Sequence, residues 1–309
     1  MPTLSVVIET FNWTPESKVQ LEHVLAKLDA QTLPREEIER IVVVDAAHPE
    51  QAETVKRLDP SIIVVVASEP TYYGMKRSGM QHARGHIIAL LDSDTVPVDT
   101  WAAEIVSTIR RGADVVAGKV RFPRNAPFSR TFAIFDYGHL RNDRDGQASC
   151  FNVSNSAIKA EIVRKHLFDE RLTRFGGGTL LGRQLSSIGY RIVYNPAVSV
   201  THNDKGLKKH LGVRFRTGHE AVKLCQLDDA RVLPESKFMK FGLMAPFIFA
   251  AQRAAFDCRT VVGARQDFDI VWYEVPYFIA AAIFVRSLEA IAGLVSVLRP
   301  GYFERRFGW

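Results

Sequence analysis

Gly85-His86-Ile87-Ile88-Ala89-Leu90-Leu91-Asp92-Ser93-Asp94 is the stretch on which the fold turns. Its apolar middle is short and bounded by polar residues, the pattern of a strand buried on both faces. Two carboxylates close it, where such a strand surfaces at the edge of a sheet. Residues spaced i and i+2 at a strand end point the same way, so Asp92 and Asp94 form a hard oxygen site suited to Mg²⁺ or Mn²⁺ beside a phosphate. The same pair also fits a helix cap or a solvated turn, where Asp and Ser are common.

Outward from that strand the chain alternates. Residues 4–8, 41–44, 62–67 and 114–118 read as strands, and residues 17–31, 49–58, 74–84 and 98–111 as helices. This order predicts an α/β protein with an open, mostly parallel sheet, helices on both faces, and ligands beyond the carboxyl ends of the strands. No GxGxxG follows the first strand and no GxxxxGK[ST] occurs anywhere. The dinucleotide and P-loop classes therefore lose their main support.

A chain of 309 residues, 47% hydrophobic and 24% charged, suits one large α/β domain with an appendage, and excludes disorder. Its three cysteines, Cys150, Cys225 and Cys258, form neither a CxxC knuckle nor an even disulfide framework, which fits a reducing cytosol. No secretory leader is read at the N-terminus, and no nucleic-acid partner is expected. Residues 1–202 carry 24 Lys and Arg against 23 Asp and Glu, whereas residues 203–309 carry 16 against 11. The C-terminal third thus holds most of the net charge of +6.

That third also holds apolar stretches at 241–251 and 275–285, each shorter than the ~20 residues a bilayer span needs. Glu274, Arg286 and Glu289 interrupt the second region. With Lys237, Lys240, Arg253, Arg299, Arg305 and Arg306 on their flanks, these helices are expected to lie in the headgroup region of an anionic membrane rather than cross it. A buried helical hairpin and a homodimer interface are the alternatives. The expected division is 1–204 for the catalytic domain and 205–309 for a basic, apolar helical extension.

Residues 4–12 (LSVVIETFN), 41–45 (IVVVD), 74–79 (GMKRSG), Asp92-Ser93-Asp94 and the segment 168–202 occur in an order that resembles a family 2 glycosyltransferase of the GT-A fold, over about residues 3–225. The resemblance implies a metal-dependent transferase, a hexosyltransferase in type, that moves a sugar from a nucleotide-diphosphate donor. The acceptor would be lipid-linked or a polysaccharide, with inversion, in cell-envelope polysaccharide or glycolipid synthesis at the cytoplasmic face of the plasma membrane. It places Thr10, Phe11 and Asn12 around the base, Thr10 by hydrogen bonding and Phe11 by stacking. It places Asp45 on a ring N–H, a position that equally suits a helix N-cap. Lys76 would reach the diphosphate with Arg77 beside it, Asn155 would lie beneath the donor sugar, and Asp92 with Ser93 would approach the ribose. Asp92, Asp94 and His202 would hold the Mn²⁺ or Mg²⁺, with Asp94 making the direct contact.

The sequence departs from the pattern of the resembled family in four places. Glu9 stands where a proline is usual, Ala46 stands where a second acidic residue often follows Asp45, Lys76 replaces an Arg, and Gly177-Gly178 stand where the family normally carries a Glu-Asp pair whose carboxylate would deprotonate a sugar hydroxyl. The loss of a base at Gly178 leaves Asp169, Glu170 or Glu220 as substitutes, or an acceptor that is already an anion, such as a polyprenyl phosphate met by Lys205, Lys208, Lys209, Arg214 and Arg216. It also leaves a membrane-attached nucleotide-sugar-binding or scaffold protein without transfer activity. The Asp92-x-Asp94 pair fits haloacid-dehalogenase-like phosphatases as well, but these carry it on their opening strand. A sugar nucleotidyltransferase would need a glycine-rich basic signature near the N-terminus, which is absent.

Overall fold

The computed structural model describes residues 2–11, 13–123, 127–140, 146–203 and 206–307. From the N-terminus the elements are β1 (Leu4–Glu9), α1 (Pro15–Asp29), β2 (Ile38–Asp45), α2 (Pro49–Leu58), β3 (Ile63–Ala67), α3 (Tyr72–His82), β4 (Ile87–Asp92), β5 (Thr95–Pro97), α4 (Trp101–Arg110) and β6 (Val115–Arg121). There follow α5 (Pro127–Phe135), β7 (Gln147–Ala148), β8 (Asn155–Lys159), α6 (Ala160–Val163), α7 (Gly177–Ser187) and β9 (Ile192–His202). The chain ends in α8 (Gly206–Leu227), α9 (Ala245–Gly263), α10 (Val275–Leu298) and α11 (Tyr302–Phe307). Two compact units result, Met1–Val120 with Leu140–Asn203, and Arg121–His139 with Asp204–Trp309. Residues 121–139 thus group with the second unit.

In the first unit the strand order is β3-β2-β1-β4-β8-β6-β9-β5, with β7 on β9. β1, β2, β3 and β4 are parallel, and β4–β8 and β6–β8 are antiparallel. The sheet is therefore mixed, its parallel half built from the runs whose residues are buried on both faces, such as Leu4, Val6, Val7 and Ile8. α3 lies close on this half because Gly79 has no side chain: a Cβ there would stand 2.3 Å from Val7 Cγ1. α1 starts with a reciprocal cap between Thr14 and Ser17, the Thr14 N–H donating to Ser17 Oγ at 2.8 Å.

The antiparallel half is stitched by one amide. Asn155 is fully buried; its Oδ1 accepts from Trp101 Nε1 at 2.8 Å, and its Nδ2 donates to the Lys119 and Val198 carbonyls, each at 2.9 Å. These bonds join α4, β8, β6 and β9 through one side chain whose capacity is nearly filled.

In the second unit Phe135, Val261, Phe278, Ala282 and Val285 lie in the core between α5, α9 and α10. Arg286 and Glu289 interrupt the apolar run but not the helix: α10 runs for 24 residues, about 36 Å at helical rise. Both charged residues point inward and are paired. Arg286 donates to Asp257 at 2.8 Å, to Glu289 at 2.7 Å and to the Phe135 carbonyl at 2.8 Å. The fully buried Arg214 reaches Glu289 at 3.1 Å and Asp136 at 2.6 Å. Within Trp272–Leu298 an 18-residue window of mean hydropathy 1.9 is long and apolar enough to cross a membrane by length and composition only, and 44% of that window is buried inside the protein.

Arg40, a buried residue of β2, donates to Asp29 at 2.7 Å, to Ser61 at 3.0 Å and to Asp59. The Ser61 hydroxyl, and more weakly Arg40, hold the Asp59 carboxyl down to about 2 from its ordinary 3.8. A depressed carboxylate stabilises the fold above its unfolded pKa and loses that contribution as pH falls toward the folded value. Asp59→Asn is expected to cost about 1 kcal/mol near pH 6, after allowing for solvent screening of a partly exposed group. In denaturant titrations that difference should shrink by roughly half near pH 3; a constant difference across this range would contradict the assignment.

Candidate active site at the ends of β1 and β4

Parallel register sets Glu9 of β1 opposite Asp92 of β4. Ser93 and Asp94 turn the chain into β5, whose antiparallel pairing places Thr95 opposite His202 of β9. The Asn203 N–H donates to the Asp94 carbonyl at 3.1 Å and closes the junction. Ligand atoms of Asp92, Asp94 and His202 consequently lie within 4.8 Å of one another. His202 Nδ1 stands 2.9 Å from the Asn203 carbonyl, an acceptor only, so Nδ1 carries the proton. In the neutral ring the lone pair is then on Nε2, which faces Asp94 Oδ1 at 3.6 Å.

Asp92 is held from the other side. Its Oδ1 accepts from Tyr72 Oη at 2.7 Å and from Lys76 Nζ at 2.8 Å, and Lys76 also donates to the Leu91 carbonyl at 2.8 Å. Two donors occupy Oδ1 and leave Oδ2 to meet a cation. Burial pushes the Glu9 carboxyl up to about 8, with the Asp92 charge adding to it, so near neutral pH it is largely protonated and adds little negative charge beneath the site. Burial also drives the Tyr72 phenol upward, followed by Asp92 and Glu9, which keeps it a donor. Two carboxylates and one imidazole nitrogen with a fixed tautomer match Mn²⁺ or Mg²⁺, and three protein ligands leave positions for substrate oxygens.

Phe11 projects from the turn after β1, edge-on to Tyr72 with ring centres 6.0 Å apart. The Arg174 guanidinium covers a face of the same ring at 4.8 Å. These residues all belong to the first unit.

Several expected site residues are placed otherwise. The Thr10 hydroxyl is buried against the Val43 carbonyl at 3.0 Å and Gln51 Oε1 at 2.9 Å. The Lys76 ammonium has no solvent exposure and holds Asp92. Arg77 pairs with Glu69 and donates to the Asp169 carbonyl at 3.3 Å. Asn155 serves the strand junction described above. Asp45, at the end of β2, accepts from the Ala47 N–H at 2.8 Å and so shapes the turn into α2. Ser93 is buried in the Asp92–Asp94 turn. Asn12 and Lys205 lie outside the described residues.

The substitute bases fare no better. Asp169 is bound by Arg171 at 2.7 Å, which holds its carboxyl below the usual range. Glu170 is exposed. Glu220 is buried on α8 in the second unit. Gly178 explains its own identity: a Cβ there would stand 2.3 Å from the Phe151 carbonyl, and one at Gly177 would stand 2.4 Å from the Tyr73 ring. Sequence reading missed Tyr72 and Arg174; the only signal was an aromatic pair just ahead of Gly74.

The model of Glycosyl transferase family 2 matches residues 5–171, more than half of the chain, and the chain belongs to that family. It is thus a transferase of GT-A architecture. Glycosyltransferase AglE of Haloferax volcanii is 22% identical over 241 residues, covering 74% of this chain and 76% of the relative. Among solved structures, the mannosyltransferase PcManGT from Pyrobaculum calidifontis, in complex with GDP-Man and Mn²⁺, aligns at a TM-score of 0.63. That alignment covers 96% of this chain and 87% of the other at 18% identity, a likeness of fold.

Gly178→Ala and Gly178→Asp should each destabilise the protein by about 2 kcal/mol or more, because the clash is with backbone. Chemical denaturation checks this. Wild-type stability in the Asp variant would mean that the space beside the Phe151 carbonyl is open to a carboxylate.

Proposed function

We propose that the protein is a metal-dependent, inverting glycosyltransferase that moves a hexose from a nucleotide-diphosphate sugar to a lipid-linked or polysaccharide acceptor. The observation that carries this reading is the convergence of Asp92, Asp94 and His202 at the carboxyl edge of the sheet. The GDP-Man and Mn²⁺ of the structural neighbour support a nucleotide-sugar donor and a divalent ion of this kind.

A bound Mn²⁺ or Mg²⁺ would supply Lewis-acid neutralisation of the leaving diphosphate. The chain's own contribution is to hold its ligands in place: Lys76 and Tyr72 fix Asp92, the Asn203 carbonyl fixes the His202 tautomer, and Glu9 in its neutral form spares the site a third negative charge. Phe11 offers a ring for base stacking. The closed space at Gly178 supports an acceptor that needs no deprotonation, such as a polyprenyl phosphate. Lys208 and Lys209 are exposed on α8 and suit that anion, whereas Arg214 is buried in ion pairs and does not.

Attachment to the cytoplasmic face of a membrane fits the second unit. Phe241, Phe247, Trp272, Tyr273 and Phe284 are among its exposed apolar side chains, with Lys237 and Lys240 packed on neighbouring rings and Arg299, Arg305 and Arg306 exposed. The protein should co-sediment with vesicles containing anionic lipid more than with neutral ones, and less as salt rises. Equal recovery in the supernatant from both vesicle types would remove the membrane assignment while leaving the transferase reading intact.

Asp94→Asn is expected to lower donor turnover at least ~100-fold and to weaken Mn²⁺ binding, with the thermal midpoint preserved. Calorimetry with Mn²⁺ and a donor-hydrolysis assay read the two effects separately. Full metal-dependent turnover in the variant would sink the metal assignment, and donor binding with no transfer to any acceptor would favour a binding or scaffold role.

A further inference from the structure

We infer that the segment Ser236–Met244 is the part of the second unit that enters a membrane, and that Lys237 and Lys240 hold it there by binding the phosphates of anionic lipids. The inference rests on the membrane reading above and names the element and the lipid chemistry behind it.

The segment starts and ends on fixed points. Asp228 is buried and accepts from the Val232 N–H at 2.9 Å, the Leu233 N–H at 2.8 Å and Ser236 Oγ at 2.6 Å. These bonds tie the chain to the end of α8 just where the segment begins. Beyond it, Ala245 and Pro246 open α9 and are buried. Phe238 meets the buried Phe249 of α9 with ring centres 6.5 Å apart, and Phe241 stacks on Phe238 at 6.4 Å. A ladder of three rings thus leads from the core out to Phe241.

Between these anchors the segment buries none of its nine residues. Gly242 takes φ 56° and ψ −121°, a conformation that a residue with a Cβ rarely adopts, and it breaks the helical turns. Around it Phe241, Leu243 and Met244 are 50%, 49% and 59% exposed. The fold gains little from side chains left this open, and apolar groups clustered at one turn mark an interaction surface.

Charge selects the partner. Lys237 Nζ lies 4.9 Å from the centre of the Phe238 ring, and Lys240 Nζ lies 5.2 Å from that of Phe241. Neither lysine forms an ion pair among the described residues, and residues 236–256 contain no Asp or Glu. A cation resting on an exposed ring matches the boundary of a bilayer, where the ring enters the acyl region and the ammonium stays with the phosphates. A second copy of the chain fits poorly. A two-fold contact sets the same patch against itself, which would bring four lysines together with no carboxylate from the segment to separate them. An anionic bilayer supplies phosphate to both lysines and apolar depth to Phe241, Leu243 and Met244 at once.

The test is flotation of the full chain with vesicles of phosphatidylcholine alone and of phosphatidylcholine with about a third phosphatidylglycerol. The paired variant Lys237→Gln with Lys240→Gln should bind the anionic vesicles about ten- to thirtyfold more weakly and lose most of its preference over neutral ones. Phe241→Ser with Leu243→Ser should weaken binding to both vesicle types alike. All four side chains are exposed, so unchanged thermal midpoints are expected and show that the fold is intact. Wild-type binding by either paired variant would overturn the inference and leave the membrane reading in place. Sedimentation velocity decides the rival partner: a wild-type dimer that the Phe241 and Leu243 pair dissolves would assign the segment to a second copy and overturn the inference too. If the wild-type chain floats with neither vesicle, the membrane reading fails and this inference falls with it.

Discussion

The Lys76 ammonium, shut away from solvent, sits 2.8 Å from the Leu91 carbonyl and 2.8 Å from Asp92 Oδ1. A buried charge of this kind persists only with its partner in place, and removing either one typically costs about 3–5 kcal/mol. The pair fastens α3 to the end of β4 at the point where the chain must expose Asp92 and Asp94. It also orients the candidate site, since Asp92 Oδ1 accepts from two protein donors. The candidate metal site and the packing of α3 therefore share a contact, and an Arg at position 76 would need more room than this enclosed space gives.

A second constraint is steric. Gly177 and Gly178 let α7 begin against the Tyr73 ring and the Phe151 carbonyl, and any side chain there meets backbone or an aromatic ring. Tyr73, the residue that closes over Gly177, also donates its N–H to the Thr173 carbonyl, so one residue sets both the start of α7 and the loop before it.

Much of this was legible in the chain. Runs such as residues 41–45 and 87–92 declare buried parallel strands, and the apolar run ending in Asp92-Ser93-Asp94 declares where they open. His202 is different: the family resemblance names it, but its approach to Asp94 depends on the β5–β9 register, which pairs residues over a hundred positions apart and leaves no local trace. For Thr10, Lys76 and Asn155 the motif fixes where a side chain starts, whereas partners such as Gln51, Leu91 and Val198 decide where it points. Tyr72 and Arg174 were invisible because their meaning lies in contacts with Asp92 and Phe11.

The second unit shows the same limit from another side. Arg286 and Glu289 look like breaks in an apolar run when read along the chain, since isolated charges are costly to bury. Paired with Asp257, Arg214 and the Phe135 carbonyl, they instead become the means by which α10 fixes its rotation against α8 and α9. Gly218 tightens that crossing, because a Cβ there would stand 2.2 Å from the Glu289 carbonyl. With its charges turned inward, α10 leaves Ile283, Phe284 and Ile291 exposed on the opposite surface. The interior pairing is what lets α10 carry that apolar outer face without leaving a charge unpaired.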